Sequence, residues 1–134
     1  MNIISLVAAM FRPGGGDARP KVQTVSPRTA HEQAGFGSVL IIDVRTPDEW
    51  AQTGIAPGAA RITLQDQDFL DKLARAAGGN KDAALAFICR SGMRSGAAAG
   101  KARAAGYTNV YNVTGGMSMA GGWIDAGLPV DRQA

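Results

Sequence analysis

A single cysteine, Cys89, sits in the stretch "AFICRSGMRSGAAAG", between an apolar run of strand character and a run of small residues with helical character. A strand, a tight loop and a helix in that order aim successive backbone N–H groups at one centre and set the positive end of a helix beside it. A thiol held there loses its proton more readily than an ordinary one, whose pKa is about 8.5, so the expected species is a thiolate. Gly92 lets the loop take positive φ, and Arg90 and Arg94 add positive charge near the sulfur if their side chains turn inward. The loop therefore suits an anionic substrate. The competing reading makes Cys89 an inert, small apolar core residue. Its place at the carboxyl end of a buried strand, where open α/β sheets bind ligands, argues against that.

Other residues able to do chemistry are fewer. Asp43 and Arg45 end another strand, and Glu49 lies on the turn that follows. The three read as a structural ion-pair and capping cluster, with Arg45 adding field to the pocket as the alternative. Trp50 and Trp123 read as packing residues, and His31, the only histidine, as a solvated helix residue. One cysteine and one histidine cannot supply a four-ligand metal centre or an internal disulfide, so no metal or other cofactor is expected. A reducing, cytoplasmic setting follows.

The elements that must position Cys89 are legible in the pattern. A chain of 134 residues fits one domain with a real core. "KVQTV" reads as an edge strand, and "SPRTAHEQAG" as a helix with Ser26 at the N-cap, Pro27 at N1 and Gly35 closing it. "VLIIDV" is an unbroken apolar strand of the kind buried on both faces. "TPDEWAQTG" gives one or two helical turns, "AARI" a short strand, and "DQDFLDKLARAAGG" an amphipathic helix ended by Gly78. "ALAFIC", "RSGAAAGKARAAG" and "NVYNV" complete the series as strand, helix and strand. The alternation predicts an α/β domain whose central, largely parallel sheet of about five strands is flanked by helices on both faces. Gly96 and Gly100 each weaken their helix by about 1 kcal/mol relative to Ala, which suggests close approach of that helix to the sheet.

Residues 1–20 read as a separate segment and residues 21–134 as the domain. "MNIISLVAAMF" has amphipathic helical spacing, is too short to span a bilayer, and lacks the basic start of an export signal. Residues 1–11 are expected to dock on the domain or on a protein partner, with membrane association or export the lesser alternative. "RPGGGDARP" is a linker. The net charge of +3 is spread along the chain and aromatic residues are only 6%, so neither a basic patch nor a stacking platform for nucleic acid is present.

Three segments in order give the sequence a family resemblance. "IIDVRTPDEWAQTGIAPGAARI", "FICRSGMRS" and "GYTNVYNVTGGM" with "GWIDAGLPV" resemble the N-terminal signature, active-site loop and C-terminal signature of rhodanese-like sulfurtransferase domains. The resemblance covers roughly Val22 to Val130. It implies a rhodanese-like fold and a thiosulfate sulfurtransferase activity with Cys89 as nucleophile and sulfur carrier. A sulfane sulfur would come from a small anionic donor, thiosulfate or a persulfide, rest on Cys89 as a persulfide, and leave to a thiol or cyanide acceptor. The backbone of Arg90, Ser91, Gly92, Met93, Arg94 and Ser95 would cradle the anion. Attack of a thiolate on sulfur follows the rules of disulfide exchange and needs no general base.

Loop length distinguishes this from cysteine phosphatases that share the fold. They use Cys-x5-Arg, whereas Arg94 is five residues after Cys89 and Ser95 occupies the phosphatase arginine position. A phosphatase or arsenate reductase is thus the weaker enzyme reading. The alternative from a different class is a non-catalytic module that carries or senses sulfur through Cys89. Two segments depart from the family pattern: "TGIAPGA" is one residue longer and lacks a histidine, and "SMAGG" lengthens the link to Trp123. Both are expected near the pocket rim, where they would affect acceptor choice.

Overall fold

The computed structural model describes residues 22–132, so the expected N-terminal helix and linker within residues 1–20 lie outside the described residues. Strands β1 (Gln23–Val25), β2 (Leu40–Asp43), β3 (Ala60–Arg61), β4 (Leu85–Ile88) and β5 (Val110–Val113) alternate with helices α1 (Pro27–Gly35), α2 (Pro47–Thr53), α3 (Phe69–Ala76) and α4 (Met93–Ala104). The strands form one sheet in the order β1-β5-β4-β2-β3, and every neighbouring pair is parallel.

Side-chain alternation divides the core between two faces. Ile41, Ala86, Ile88, Tyr111 and Val113 pack with Ala30 of α1, Met117 and Trp123. Ile42, Leu85, Phe87 and Val110 pack on the other face with Phe69 and Leu73 of α3 and with Ala98, Ala99 and Ala102 of α4. Cys89 continues the second series, so its side chain points towards α4. The connection after β2 runs outward to β3, while the one after β4 runs the other way to β5. The carboxyl ends of β2 and β4 therefore flank the point where the winding reverses, the usual place for a ligand crevice in such sheets.

Local chemistry sets the helix ends. Ser26 caps α1, its Oγ accepting from Thr29 N at 3.1 Å, and Gly35 is the last residue of the helix, as expected. The chain turns two residues later at Gly37, whose φ of 75° is left-handed, and Ser38 N donates back to Gln33 O at 2.9 Å. Helix α3 begins at Phe69 rather than Asp66 because Asp66 and Asp68 form a turn whose carboxylates both reach Lys72, at 2.9 and 3.5 Å. Gly78 ends α3 with a left-handed φ of 62°.

The two helical glycines of α4 differ. A Cβ on Gly96 would lie 3.3 Å from Asn112 Nδ2, whereas one on Gly100 would meet nothing within 4 Å. Close approach thus accounts for Gly96 and not for Gly100, which faces solvent. Gly100→Ala should stabilise the domain by about 1 kcal/mol through helix propensity, measurable as a higher urea midpoint at unchanged slope. Among the described residues no helix is long and apolar enough to cross a membrane.

Candidate active site

Cys89 follows directly on β4 and is 1% exposed. Its sulfur lies against the start of α4. Gly92, at φ 112°, turns the chain into the helix as its N-cap, and its amide donates to Sγ at 3.0 Å. Ser95, one turn on, brings its hydroxyl to 3.2 Å from Sγ. Burial alone would raise the thiol pKa, but hydrogen bonds from the Ser95 hydroxyl and from the amides of Ser95, Gly92 and Ser91 outweigh it and leave the pKa lowered. The loop thus favours a thiolate through its backbone and one hydroxyl.

Two residues that sequence reasoning did not single out complete this arrangement. Asn112 on β5 lies opposite Phe87 of β4 in the sheet register, on the face that carries Cys89. Its Oδ1 is 2.6 Å from Ser95 Oγ, and its Nδ2 donates to Gly92 O at 3.0 Å. The signal was a polar residue two positions after Val110, on a strand face that is otherwise apolar. Gly116 belongs to the turns after β5 that grip the loop from behind: Met117 N donates to Cys89 O at 2.7 Å and Ser118 N to Arg90 O at 3.1 Å. Gly116 has φ 55°, and a Cβ there would come within 2.5 Å of Cys89 O and 2.6 Å of Arg90 O. Gly116→Ala should therefore push the loop out of register. A loss of about 1–3 kcal/mol in stability, as for an overpacked site, should accompany at least a tenfold slower alkylation of Cys89; thermal melts and iodoacetamide kinetics check both.

The two loop arginines are placed differently. Arg90 is exposed, as are Ser91 and Met93. Arg94 turns to Glu49 on α2, with Nη1 and Nη2 each 2.7 Å from a carboxylate oxygen. Its charge near the sulfur is therefore already balanced by a carboxylate. The same carboxylate accepts from Thr46 N at 3.3 Å and Thr46 Oγ1 at 3.1 Å, so Glu49 joins the first turn of α2 to that of α4 across the crevice. The Arg94 hydrogen bonds chiefly, opposed by partial burial, lower the Glu49 pKa from 4.5 to about 2. A depressed carboxylate pKa contributes stability that is complete above the unfolded value and is lost as pH falls from 4.5 through about 2. Glu49→Gln should flatten that limb of the stability curve by on the order of 1 kcal/mol, allowing for solvent screening of a partly exposed pair. Urea unfolding across that pH range reads it.

Asp43 and Arg45 form a buried pair, 0% and 1% exposed, with Nη2 2.8 Å from Oδ2. The guanidinium also donates to Gly54 O at 2.9 Å and to Thr53 Oγ1 at 2.8 Å, fastening the end of α2 to β2. All its charge faces acceptors of its own cluster, an anchoring geometry. Trp123 is fully buried, and its Nε1 donates to Pro129 O at 2.8 Å. His31 is not freely solvated as expected: it is half-buried, edge-on to Trp123 with ring centroids 5.5 Å apart, because α1 lies over that indole.

The two departing segments occupy different places. Ser118 of "SMAGG" borders the Cys89 loop through its bond to Arg90 O. "TGIAPGA" instead packs on the chain's C-terminal stretch, with Ile55 and Asp131 exchanging backbone bonds of 2.9 and 2.7 Å. Its Pro57 and Gly58 help line a cavity of about 540 Å³ with Ser38, Leu40, Asn80 and Ala84. The β2 and β4 residues of that lining lie at the amino ends of those strands, the end of the sheet away from Cys89, so Pro57 and Gly58 are not part of the pocket rim, whereas Thr53 and Gly54 of the same segment hold Arg45 just beyond the carboxyl end of β2.

Comparison with known proteins agrees with this architecture. A family model described as the rhodanese-like domain matches residues 26–120. The chain is 34% identical to an uncharacterized protein of Rickettsia prowazekii over 101 residues, which is 69% of this chain and 82% of that protein. It is 35% identical over 92 residues to an Allochromatium vinosum protein named a sulfurtransferase, covering 69% of this chain and 78% of that one. A solved structure from Rhodopseudomonas palustris, described as a protein of unknown function and possible tyrosine phosphatase, superposes with a TM-score of 0.68 at 25% identity, covering 88% of this chain and 98% of that one.

Proposed function

The chain belongs to the rhodanese-like domain family, and from that premise we propose that it is a sulfurtransferase working through a persulfide on Cys89. The observation that carries this is the sulfur itself, at the carboxyl end of β4, accepting hydrogen bonds from Gly92 N and the Ser95 hydroxyl with its pKa lowered. With thiosulfate as donor, the Cys89 thiolate attacks the sulfane sulfur, a new S–S bond forms to Sγ, and sulfite leaves with the electron pair of the broken bond. A thiol or cyanide then attacks the outer sulfur and the Cys89 thiolate departs. Amide dipoles fixed before reaction stabilise negative charge at each stage. The donor is anionic and the loop presents N–H groups, so charge and geometry agree.

The likeness to a possible tyrosine phosphatase raises that activity as a rival. Phosphoryl transfer needs an arginine forked onto the phosphoryl oxygens, and Arg94 spends both its terminal nitrogens on Glu49. Thiocyanate production from thiosulfate and cyanide by the full-length protein, run beside p-nitrophenyl phosphate hydrolysis, tests the reading. Thiocyanate should form and phosphate release should stay at background. Phosphate release without thiocyanate overturns the proposal, and a persulfide that forms but never turns over makes the domain a sulfur carrier instead of an enzyme.

A further inference from the structure

We propose that Asn112 is a positioning residue for the Cys89 reaction, giving the Ser95 hydroxyl a second acceptor so that it serves the sulfur in one state of the cycle and Asn112 in the other. The proposal rests on the persulfide reading for its role in turnover, and on geometry for the switch itself.

Ser95 has one hydroxyl proton and two acceptors, Cys89 Sγ at 3.2 Å and Asn112 Oδ1 at 2.6 Å. The orientation of the amide is fixed, because Gly92 O, 3.0 Å from Nδ2, can only accept; a flipped amide would face two carbonyl oxygens together. With Cys89 protonated, the chain runs without a gap: S–H to Ser95 Oγ, Ser95 O–H to Oδ1, and Nδ2–H to Gly92 O. With Cys89 ionised, the hydroxyl must turn to the sulfur, and Oδ1 is left without that donor. When Sγ becomes the inner sulfur of a persulfide it carries no charge and accepts only weakly, so the hydroxyl returns to Asn112. Asn112 therefore competes with the free thiolate and favours the capped sulfur. Its second contact holds the carbonyl of Gly92, whose own amide serves Sγ. Gly96 is the residue that makes room for it on α4.

The charged groups around the sulfur are common to every variant compared below. They are Arg94 on α4 with its partner Glu49 on α2 and exposed Arg90 on the loop; the Asp43–Arg45 pair at the end of β2 belongs by alternation to the opposite face of the sheet. From β5 the polar group is Asn112 itself.

The pH dependence of Cys89 alkylation by iodoacetamide tests the switch without needing sulfur transfer, so it can fail or succeed separately from the proposed function. Ser95→Ala should move the midpoint up. Asn112→Leu should move it down, with the thiolate-to-thiol ratio rising roughly threefold to tenfold, as for one net hydrogen bond. In the Ser95→Ala background the same Leu substitution should move nothing further beyond whatever loosening of Gly92 contributes, since the proton being competed for is gone. Asn112→Ala, which removes the same atoms without adding an apolar branch, must shift in the same direction. The loaded state supplies a second readout: at a fixed thiosulfate-to-sulfite ratio, Asn112→Leu should lower the persulfide-to-thiolate ratio by a similar factor, read by intact mass. A midpoint that rises or stays put in the Asn112 variants, or an equal shift with and without Ser95, overturns the proposal.

Discussion

The Cys89→Ala protein should fold like its parent and produce no thiocyanate from thiosulfate and cyanide. Removing one sulfur atom from a buried site costs little in packing, on the order of 1 kcal/mol, because the cavity is small and the loop is held from behind by Met117 and Ser118. The chemistry has no substitute. Cys89 is the single cysteine of the chain, and neither the Ser95 hydroxyl nor Arg94 can become a nucleophile towards sulfur at neutral pH. Unlike losses at Arg90, which would leave partial activity, this loss is complete. Steady-state turnover with a melting curve on the same sample separates the catalytic effect from any effect on folding.

A stability loss of about 3–5 kcal/mol is expected for Asp43→Ala, the range for breaking one side of a buried ion pair. The guanidinium of Arg45 would remain 1% exposed with its counter-charge gone and only neutral acceptors, Thr53 Oγ1 and the carbonyls of Gly54 and Glu49, around it. Domains of this size have total stabilities of about 5–15 kcal/mol, so much of the domain's margin would disappear. The loss should appear in urea midpoints, and the Arg45→Met, Asp43→Leu double variant, which removes both charges, should recover a large part of it. The contrast with Glu49 is informative. That carboxylate pairs at the crevice mouth with partial exposure, so its removal costs far less although its hydrogen bonds to Arg94 are shorter.

Much of this was legible in the residues. Strands β2 and β4 announce themselves as unbroken apolar runs because both faces are covered, and α1 by Ser26 and Pro27. The Cys89 loop was legible because a lone cysteine between a buried strand and a helix start is a combination with few structural uses. What could not be read was anything that depends on contacts across the sheet. Asn112 meets Ser95 only through the pairing of β4 with β5, and 17 residues of sequence separate them. Arg94 turns to Glu49, 45 residues away, so whether the arginine side chains turn towards the sulfur could not be read from spacing. Gly116 stood unremarked within "GYTNVYNVTGGM", and its role against Cys89 O appears only when the turns after β5 fold back on the loop. Gly100 shows the reverse: spacing suggested a packing reason, and the structure supplies none.

Sulfur loading of the intact chain tests the central claim most directly. After incubation with thiosulfate and removal of the excess, intact-mass spectrometry of the parent should show a single added sulfur atom, lost again on treatment with cyanide or a reducing thiol, and the Cys89→Ser protein should show none. An adduct that persists in the Cys89→Ser protein, or a parent that stays unmodified at every donor concentration, would contradict the account.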